Sequence, residues 1–455
     1  MNDILENRTL QLEPIGWKRI MTSETIKTEV GSYFISNYPP YSCWTGQAIA
    51  EAEAAMHSPS NSGTPLGLYL HIPFCRKRCK FCYFKVFTGK NSMEIEAYVQ
   101  ALCREIELVS RLPAIEDRAF RFVYFGGGTP SFLSSKQLTS LINRLQSSVR
   151  WDRAEEVTFE CEPGTLSQSK VQTLRELGVT RLSLGIENFS DFVLEENGRA
   201  HLSKEVYRAW DWIQDAQFPN VNIDLIAGMV GETSENWQEN ISKTLVLSPD
   251  SITIYQMELP FNTVYSADIL NDQSASLVAD WPTKREWVKT AFESFRSAGY
   301  VQSSAYTMIK DPSRVSFSYR DNLWKGADLL ATGIASFGHL SGVHYQNLAQ
   351  WNDYLGAISQ GRLPIGRAYL PTERQKLIRE LILLLKRGHI DFDYFERKFQ
   401  VDVWNEFKSI WLDFIERGLA DTENGLIRLT MDGLMRVDGL LPAFFEPQFQ
   451  GVRYT

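Results

Sequence analysis

From residue 67 onward, short β-like runs alternate with stretches of helical period. The runs are "GLYLHI" (67–72), "FRFVYF" (120–125), "EVTFEC" (156–161), "RLSLGI" (181–186), "NVNIDLIA" (220–227) and "SITIYQ" (251–256). Between the first two, Ile95, Val99, Leu102, Ile106 and Val109 recur at helical spacing, and Asn91 with Glu94 has the form of a capping box. Leu138, Leu141, Ile142 and Leu145 mark a second helix; Val171, Leu174 and Leu177 mark a third, stopped at Gly178. Six strand–helix units predict parallel strands joined by right-handed crossovers. Six falls short of the eight of a closed barrel, so the expected fold is α/β, an open partial (β/α)6 barrel. Chemistry in barrels gathers at the C-terminal ends of the strands. The unusual residues of this chain lie there: a cysteine cluster after the first run, "GGGTP" after the second, then "ECEP", "GIEN" and "DLIAG". These five sites are expected to converge on one mouth.

The flanks read differently. Upstream, "YFISNYPPYSCW" is aromatic with two prolines, an extended segment expected to lie on something else. "HSPSNSGTPLG" (57–67) is the clearest linker, and residues 271–284 read as a second exposed connection. Residues 285–365 look mixed. From Pro371 the order helix, helix, helix, short hairpin resembles a winged helix. The expected organisation is an arm and linker over 1–62, a core barrel over 63–300, a closing extension over 301–368 and a winged-helix-like helical domain over 369–455.

Composition narrows the class. The chain has 455 residues, 44% hydrophobic and 22% charged, ordinary for a globular protein with a sizeable core. Its net charge of −8 argues against a nucleic-acid partner. The C-terminal region does not reverse this, since 371–455 holds 12 Lys and Arg against 14 Asp and Glu. No apolar run approaches the ~20 residues of a spanning helix, so no membrane partner is expected. "MNDILENRTLQLEP" lacks the basic start and apolar block of a signal peptide. Half of the six cysteines sit in one cluster, which reads as a metal site in a reducing compartment, by default the cytoplasm.

That cluster is Cys75, Cys79 and Cys82, spaced C-x3-C-x2-C with no fourth cysteine nearby. A structural zinc site closes with four protein ligands, and an iron–sulfur cluster ordinarily takes four cysteines. Cys103 falls on the apolar stripe of a helix and reads as a buried hydrophobe. Cys161, Cys43 and His71 stand as spatial candidates without motif spacing. Three thiolates on a 4Fe-4S cluster leave one iron open to the amino and carboxylate groups of a small molecule. The alternative is an incomplete zinc knuckle.

Together, the cluster, "GGGTP" and the polar strand ends resemble the radical S-adenosylmethionine superfamily, in the branch related to oxygen-independent coproporphyrinogen III oxidase. The resemblance runs from "YFISNYPP" to the C-terminal segment. It implies that Cys75, Cys79 and Cys82 hold a 4Fe-4S cluster that reductively cleaves S-adenosylmethionine to a 5′-deoxyadenosyl radical, which abstracts hydrogen from an organic substrate. It implies Tyr69 beside cluster and cofactor and Phe81 near the adenine. Gly127, Gly128 and Thr129 match the segment contacting the methionine amino group and a second cofactor. Glu160 matches a family Glu at a strand end, and with Tyr69 is a catalytic candidate. Glu187 falls where the family usually has Gln against the ribose. Arg199 matches the partner of the methionine carboxylate, Asp224 the acceptor from the ribose hydroxyls. Phe337, in a Gly-rich strand of the closing segment, matches an apolar contact. His339 and His344 are further acid–base candidates whose commoner role is structural.

The resemblance implies one or two bound S-adenosylmethionine molecules, a small-molecule substrate and an external one-electron donor of flavodoxin or ferredoxin type. Coproporphyrinogen oxidases often read "CGC" at the third ligand, whereas this chain reads Cys82, Tyr83, Phe84. Oxidative decarboxylation and C-methylation or cyclopropanation are the candidate reactions. A non-catalytic haem-binding chaperone is the alternative.

Overall fold

The computed structural model describes residues 27–59, 63–271, 278–423 and 425–454. The expected absence of a leader over residues 1–14 lies outside them. So do parts of the two expected connections, residues 60–62 and 272–277.

Six parallel strands form the centre: β1 (Leu66–Ile72), β2 (Phe122–Gly127), β3 (Glu156–Cys161), β4 (Arg181–Glu187), β5 (Asn220–Ala227) and β6 (Ser251–Gln256). They follow in spatial order, each joined to the next by a helical crossover. β2 begins two residues later than the sequence pattern suggests and takes in two glycines, Gly126 and Gly127, which pair with His71 and Ile72. The residues before it are diverted, because Ala119 and Phe120 bond to Arg150 instead of β1.

The mixed region supplies β7 (Val301–Gln302), β8 (Thr307–Ile309), β9 (Asp328–Thr332), β10 (Phe337–Leu340), β11 (Val343–Asn347) and β12 (Ile365–Tyr369). The full order is β12-β11-β10-β9-β1-β2-β3-β4-β5-β6-β8-β7. β9 is parallel to β1, so a seventh parallel strand extends the expected six. The other added strands are antiparallel.

Strand side chains alternate in direction, and the two faces of β1–β6 have different chemistry. Leu68, Leu70, Ile72, Val123, Phe125, Leu182, Leu184, Ile223 and Ile254 point outward into the main core. There they meet Val99, Leu102 and Ile106 of helix Ser92–Val109 and Leu138, Leu141 and Ile142 of helix Ser135–Ser148. Each such side chain contributes roughly 1.5–3 kcal/mol by leaving water. Helix Ser92–Val109 starts at the expected box: Asn91 accepts from Met93 N and Glu94 N, and Glu94 accepts from Asn91 N. The inward positions are polar. Asn222 Nδ2 donates to Ser183 Oγ (2.9 Å) and Asp224 Oδ1 (2.8 Å), and Ser251 Oγ donates to Asn222 Oδ1 (2.8 Å).

The aromatic arm lies across the added strands and the C-terminal segment. Asn37 N donates to the Tyr454 hydroxyl, Tyr38 is fully buried, and the Trp44 ring stacks on His344 at 5.1 Å. The arm is extended at its prolines and then makes one 3-10 turn at Tyr41–Cys43. Beyond Pro371 come helices Glu373–Leu385, Phe392–Phe399, Val403–Glu406 and Lys408–Glu416. A small sheet combines β13 (His389–Asp391) with the hairpin of β14 (Ala420–Glu423) and β15 (Leu426–Leu429). Among the described residues no helix is long and apolar enough to cross a membrane.

Candidate functional site

The loop after β1 carries the thiols. It is closed at its base, where Phe87 N donates to Pro73 O (2.7 Å) and Cys75 N to Phe87 O (3.2 Å). Within it Cys82 N donates to Cys79 O, and Lys80 N bonds across to Asn197 O. Cys75, Cys79 and Cys82 are all partly buried and unpaired. Burial raises Cys75 to about 11 and Cys82 to about 12, and the charge of Cys79 pushes both further in that direction. The three sulfurs therefore share one neighbourhood. Among the described residues no group of three or more His, Cys, Asp or Glu side chains is arranged to hold a metal ion. The thiols are neighbours, not a preassembled ligand set.

Two donors already point at this sulfur group. Thr129 Oγ1 donates to Cys75 Sγ at 3.4 Å, and Arg199 Nη1 to Cys79 Sγ at 3.3 Å. Arg199 Nη2 also donates to Gly185 O at 2.8 Å and lies 3.6 Å from Glu187. Burial works against the Arg199 charge, but Cys79, Glu187 and Glu162 outweigh it and hold the guanidinium protonated. Its Nε is buried without a hydrogen-bond partner. Soft thiols beside a spare cationic donor suit an anionic iron–sulfur group and a carboxylate ligand.

The strand ends face this loop. Glu160 on β3 accepts from the Tyr124 hydroxyl at 2.7 Å and from Gly127 N at 3.2 Å. Burial raises it to about 7, with Asp224 adding to the shift. Asp224 on β5 accepts from Ser183 Oγ (2.7 Å) and Asn222 Nδ2, and burial raises it as well. Glu187 is raised to about 7 by burial, against the pull of Arg199. It sits at φ +65°, beside a register shift between β4 and β5, in a conformation that costs a residue with a Cβ about 1–3 kcal/mol. Gly127 has φ +112°, and a Cβ there would meet the His71 ring at 2.5 Å. A Cβ at Gly128 would meet Ile72 O and Phe74 O at 2.9 Å.

The remaining candidates distribute around the mouth. The Tyr69 ring stacks with Tyr124 (6.0 Å, 22°), and its hydroxyl lies 3.2 Å from His71 Nδ1. Phe81 packs with Val193, Ile226, Met229 and Met257, an apolar patch near the ends of β5 and β6. Phe337 stands with the arm, against Tyr41 at 4.3 Å and Trp44 at 5.6 Å. His339 and His344 are also under the arm, buried, 2.9 Å apart through their Nδ1 atoms. Burial pulls both well below the ordinary histidine value. Cys103 and Cys161 are buried in the core.

Sequence reasoning missed a second layer. Glu162 lies 3.1 Å from Arg76 Nη2 and 3.0 Å from His201 Nδ1. Burial works to raise the Glu162 carboxyl, but His201, Arg199 and Arg76 pull it down to about 2. This ties the thiol loop to β3 and to the loop carrying Arg199. Its one local signal was the second carboxylate of "ECEP". Tyr124 and Tyr319, whose rings lie 4.4 Å apart, were also missed.

The Radical SAM superfamily model matches residues 69–243, the segment that carries the thiols and all the strand-end candidates except Phe337. Over that segment the chain is similar to the radical SAM superfamily, whose members generically bind a 4Fe-4S cluster and S-adenosylmethionine. Over most of its length the chain is similar to coproporphyrinogen oxidases and haem chaperones. The oxygen-independent coproporphyrinogen III oxidase of Pseudomonas aeruginosa is 27% identical over 396 residues, covering 84% of each chain. The heme chaperone HemW of Bacillus subtilis is 25% identical over 380 residues, covering 83% of this chain and 98% of that protein. The solved coproporphyrinogen III oxidase HemN from Escherichia coli shares the fold, with a TM-score of 0.76, 21% identity and coverage of 90% and 96%.

Proposed function

We propose that this chain is a catalytic member of the branch, one that binds S-adenosylmethionine at the barrel mouth and uses it to oxidise or alkylate a small organic substrate. The observation that carries the reading is the Arg199 guanidinium. It bonds one thiol of the C-x3-C-x2-C loop, is held charged, and keeps a buried Nε free. That is the arrangement a carboxylate bound beside a thiolate-held cluster requires.

Cys75, Cys79 and Cys82 would hold a 4Fe-4S cluster, whose chemistry when bound is one-electron reduction of S-adenosylmethionine to a 5′-deoxyadenosyl radical. The chain's own residues do the rest. Arg199 receives the methionine carboxylate. Glu160, fixed by Tyr124 and Gly127, receives the ammonium group, and with a value about 7 it also holds or accepts a proton at Oε1 or Oε2. Asp224, fixed by Ser183 and Asn222, accepts from the ribose hydroxyls. Gly127 and Gly128 let backbone approach the ligand. Phe81 and its apolar neighbours keep water from the adenine side. The electron comes from an external flavodoxin- or ferredoxin-like donor.

The test is anaerobic reconstitution with iron and sulfide, then reduction with S-adenosylmethionine present. About four irons per chain and 5′-deoxyadenosine above a Cys75→Ala control support the reading. S-adenosylhomocysteine in addition assigns alkyl transfer. Haem uptake with neither product replaces the proposal by a chaperone.

A further inference from the structure

The loop that carries the thiols has a charge opposite to that of the chain. Residues 75–90, "CRKRCKFCYFKVFTGK", hold six Lys and Arg and no Asp or Glu, in a chain of net charge −8. Three of the six are answered locally, Arg76 by Glu162, Lys80 by Glu196 and Lys90 by Glu94. Lys77, Arg78 and Lys85 are exposed and form no ion pair among the described residues. Their placement follows from how the loop closes. Cys75 N donates to Phe87 O, so these two residues stand side by side at the base. Lys77 and Lys85 each lie two positions inside that closure, one on each limb. Arg78 Nη2 donates to Cys82 O and to Asn262 O, both at 3.1 Å. Carbonyl oxygens hold the guanidinium in place without cancelling its charge.

Apolar surface adjoins these cations. The Phe84 ring is 46% exposed and stacks on Tyr83 at 4.5 Å. Asn262 Nδ2 donates to Tyr83 O at 2.8 Å, which sets the neighbouring Phe261 beside the loop. Phe261 is 40% exposed, and the exposed Arg453 lies over its ring at 4.9 Å. Aromatic rings and arginines are what protein-contact surfaces are enriched in, and they carry much of the binding energy there. The lysines at the edge add long-range attraction for an acidic partner.

Position selects the partner. Cys75, Cys79 and Cys82 lie within this loop, partly buried. An electron bound for a group that they hold crosses the least protein when its carrier settles on the loop itself, and electron transfer slows steeply with distance. We infer that the outer surface of the thiol loop, centred on Lys77, Arg78, Lys85 and Phe84, docks an acidic one-electron carrier protein of flavodoxin type. The inference rests on the chain being reduced from outside, as proposed above. The carrier's flavin hydroquinone loses one electron and becomes the semiquinone, as the group held by the thiols gains one; no bond is made or broken.

The experiment titrates the full-length, anaerobically reconstituted protein with an oxidised, FMN-loaded bacterial flavodoxin of strongly acidic charge, read by calorimetry. Binding is expected at about 50 mM salt and is expected to be at least about ten-fold weaker at about 300 mM. Lys77→Glu combined with Lys85→Glu is expected to weaken it at least about ten-fold at the lower salt. Arg397→Glu combined with Lys408→Glu, both exposed in the C-terminal helical region, changes the net charge equally and is expected to leave binding within about two-fold. Lys77→Gln combined with Lys85→Gln removes the charges without reversing them and is expected to weaken binding about three-fold, so the result does not hang on reversed charges disturbing the loop. Phe84→Ala is expected to weaken binding about three- to ten-fold at both salts. Absence of binding at low salt, or equal weakening by the two charge reversals, overturns the inference. Self-association of the parent chain in sedimentation velocity, abolished by the loop reversal, also overturns it, because the patch then belongs to a second copy. With dithionite in place of the carrier, 5′-deoxyadenosine formation is expected to be unchanged by Lys77→Glu with Lys85→Glu. Its absence from the parent would count against the proposed function and leave the binding result standing.

Discussion

The two faces of one sheet divide the work of this molecule. Outward, Leu68, Leu70, Ile72, Val123, Phe125 and Leu184 close-pack against helices and are inaccessible to solvent. Inward, the same strands present Tyr69, Tyr124, Glu160, Asp224 and Tyr255. Closed barrels usually fill the interior with branched apolar side chains. Here that interior is polar and partly accessible, so stability must come mainly from the outer face. Because strand direction alternates every residue, neighbours such as Leu70 and Tyr69 answer to different demands. The comparison teaches that a site can be cut into a sheet without thinning its core.

The sharpest way to break the comparison is at the thiols. Cys79→Ala should reduce 5′-deoxyadenosine formation about a thousand-fold or more, roughly 4 kcal/mol in barrier terms. Its thermal midpoint before reconstitution should stay within about 2 °C, since a surface-loop substitution costs little. A large loss of apo-protein stability would mean that the inner elements also carry the fold. On the outer face the signs invert. Leu70→Ala should cost about 2–5 kcal/mol in urea unfolding, while product formed per folded molecule changes little.

A third probe uses the polar exception on the outer side. Glu105, on helix Ser92–Val109, is buried and accepts from Gly333 N, Asn347 Nδ2 and the Tyr354 hydroxyl. Burial raises its carboxyl to about 7 despite those bonds. A raised folded-state value favours the protonated form on folding. The stability it contributes is therefore complete below the unfolded value near 4.5 and is lost as pH rises through about 7. The lost amount is roughly 3 kcal/mol. Unfolding free energy measured from pH 4.5 to 8 should fall more steeply for the parent chain than for Glu105→Gln. Parallel curves would remove Glu105 as the cause. The smallest expected effect returns to the inner face. Asp224→Asn should raise the KM for S-adenosylmethionine about ten-fold, near 1.4 kcal/mol, with kcat changing less. An unchanged KM would detach Asp224 from the ribose.

Much of the architecture was legible because its cause is local. The six parallel strands follow from alternation and turn residues, and the Asn91 cap from four residues of sequence. β9 was not legible: "DLLAT" is a short continuous buried run with no period of its own, and only its place beside β1 makes it a strand. The start of β2 was misread because the apolar run continues into residues that pair with Arg150. At the mouth, Cys75, Cys79 and Cys82 could be singled out from motif spacing, Glu160 and Asp224 from strand-end position and resemblance, and Arg199 from the family resemblance alone. Partners such as Arg76 and Glu162, 86 positions apart, meet only through the crossovers. The stack of Tyr69 on Tyr124 was likewise invisible, because a tyrosine in a strand looks the same whichever face of the sheet it takes.

The arm has one further consequence. Thr45 N donates to Ala368 O at 3.0 Å and Ala368 N to Thr45 O at 2.9 Å, so the arm occupies a stretch of the outer rim of β12. Bare rims of this kind recruit strands from other molecules. At that position the edge backbone is already paired within the chain, and is closed to a strand from another copy.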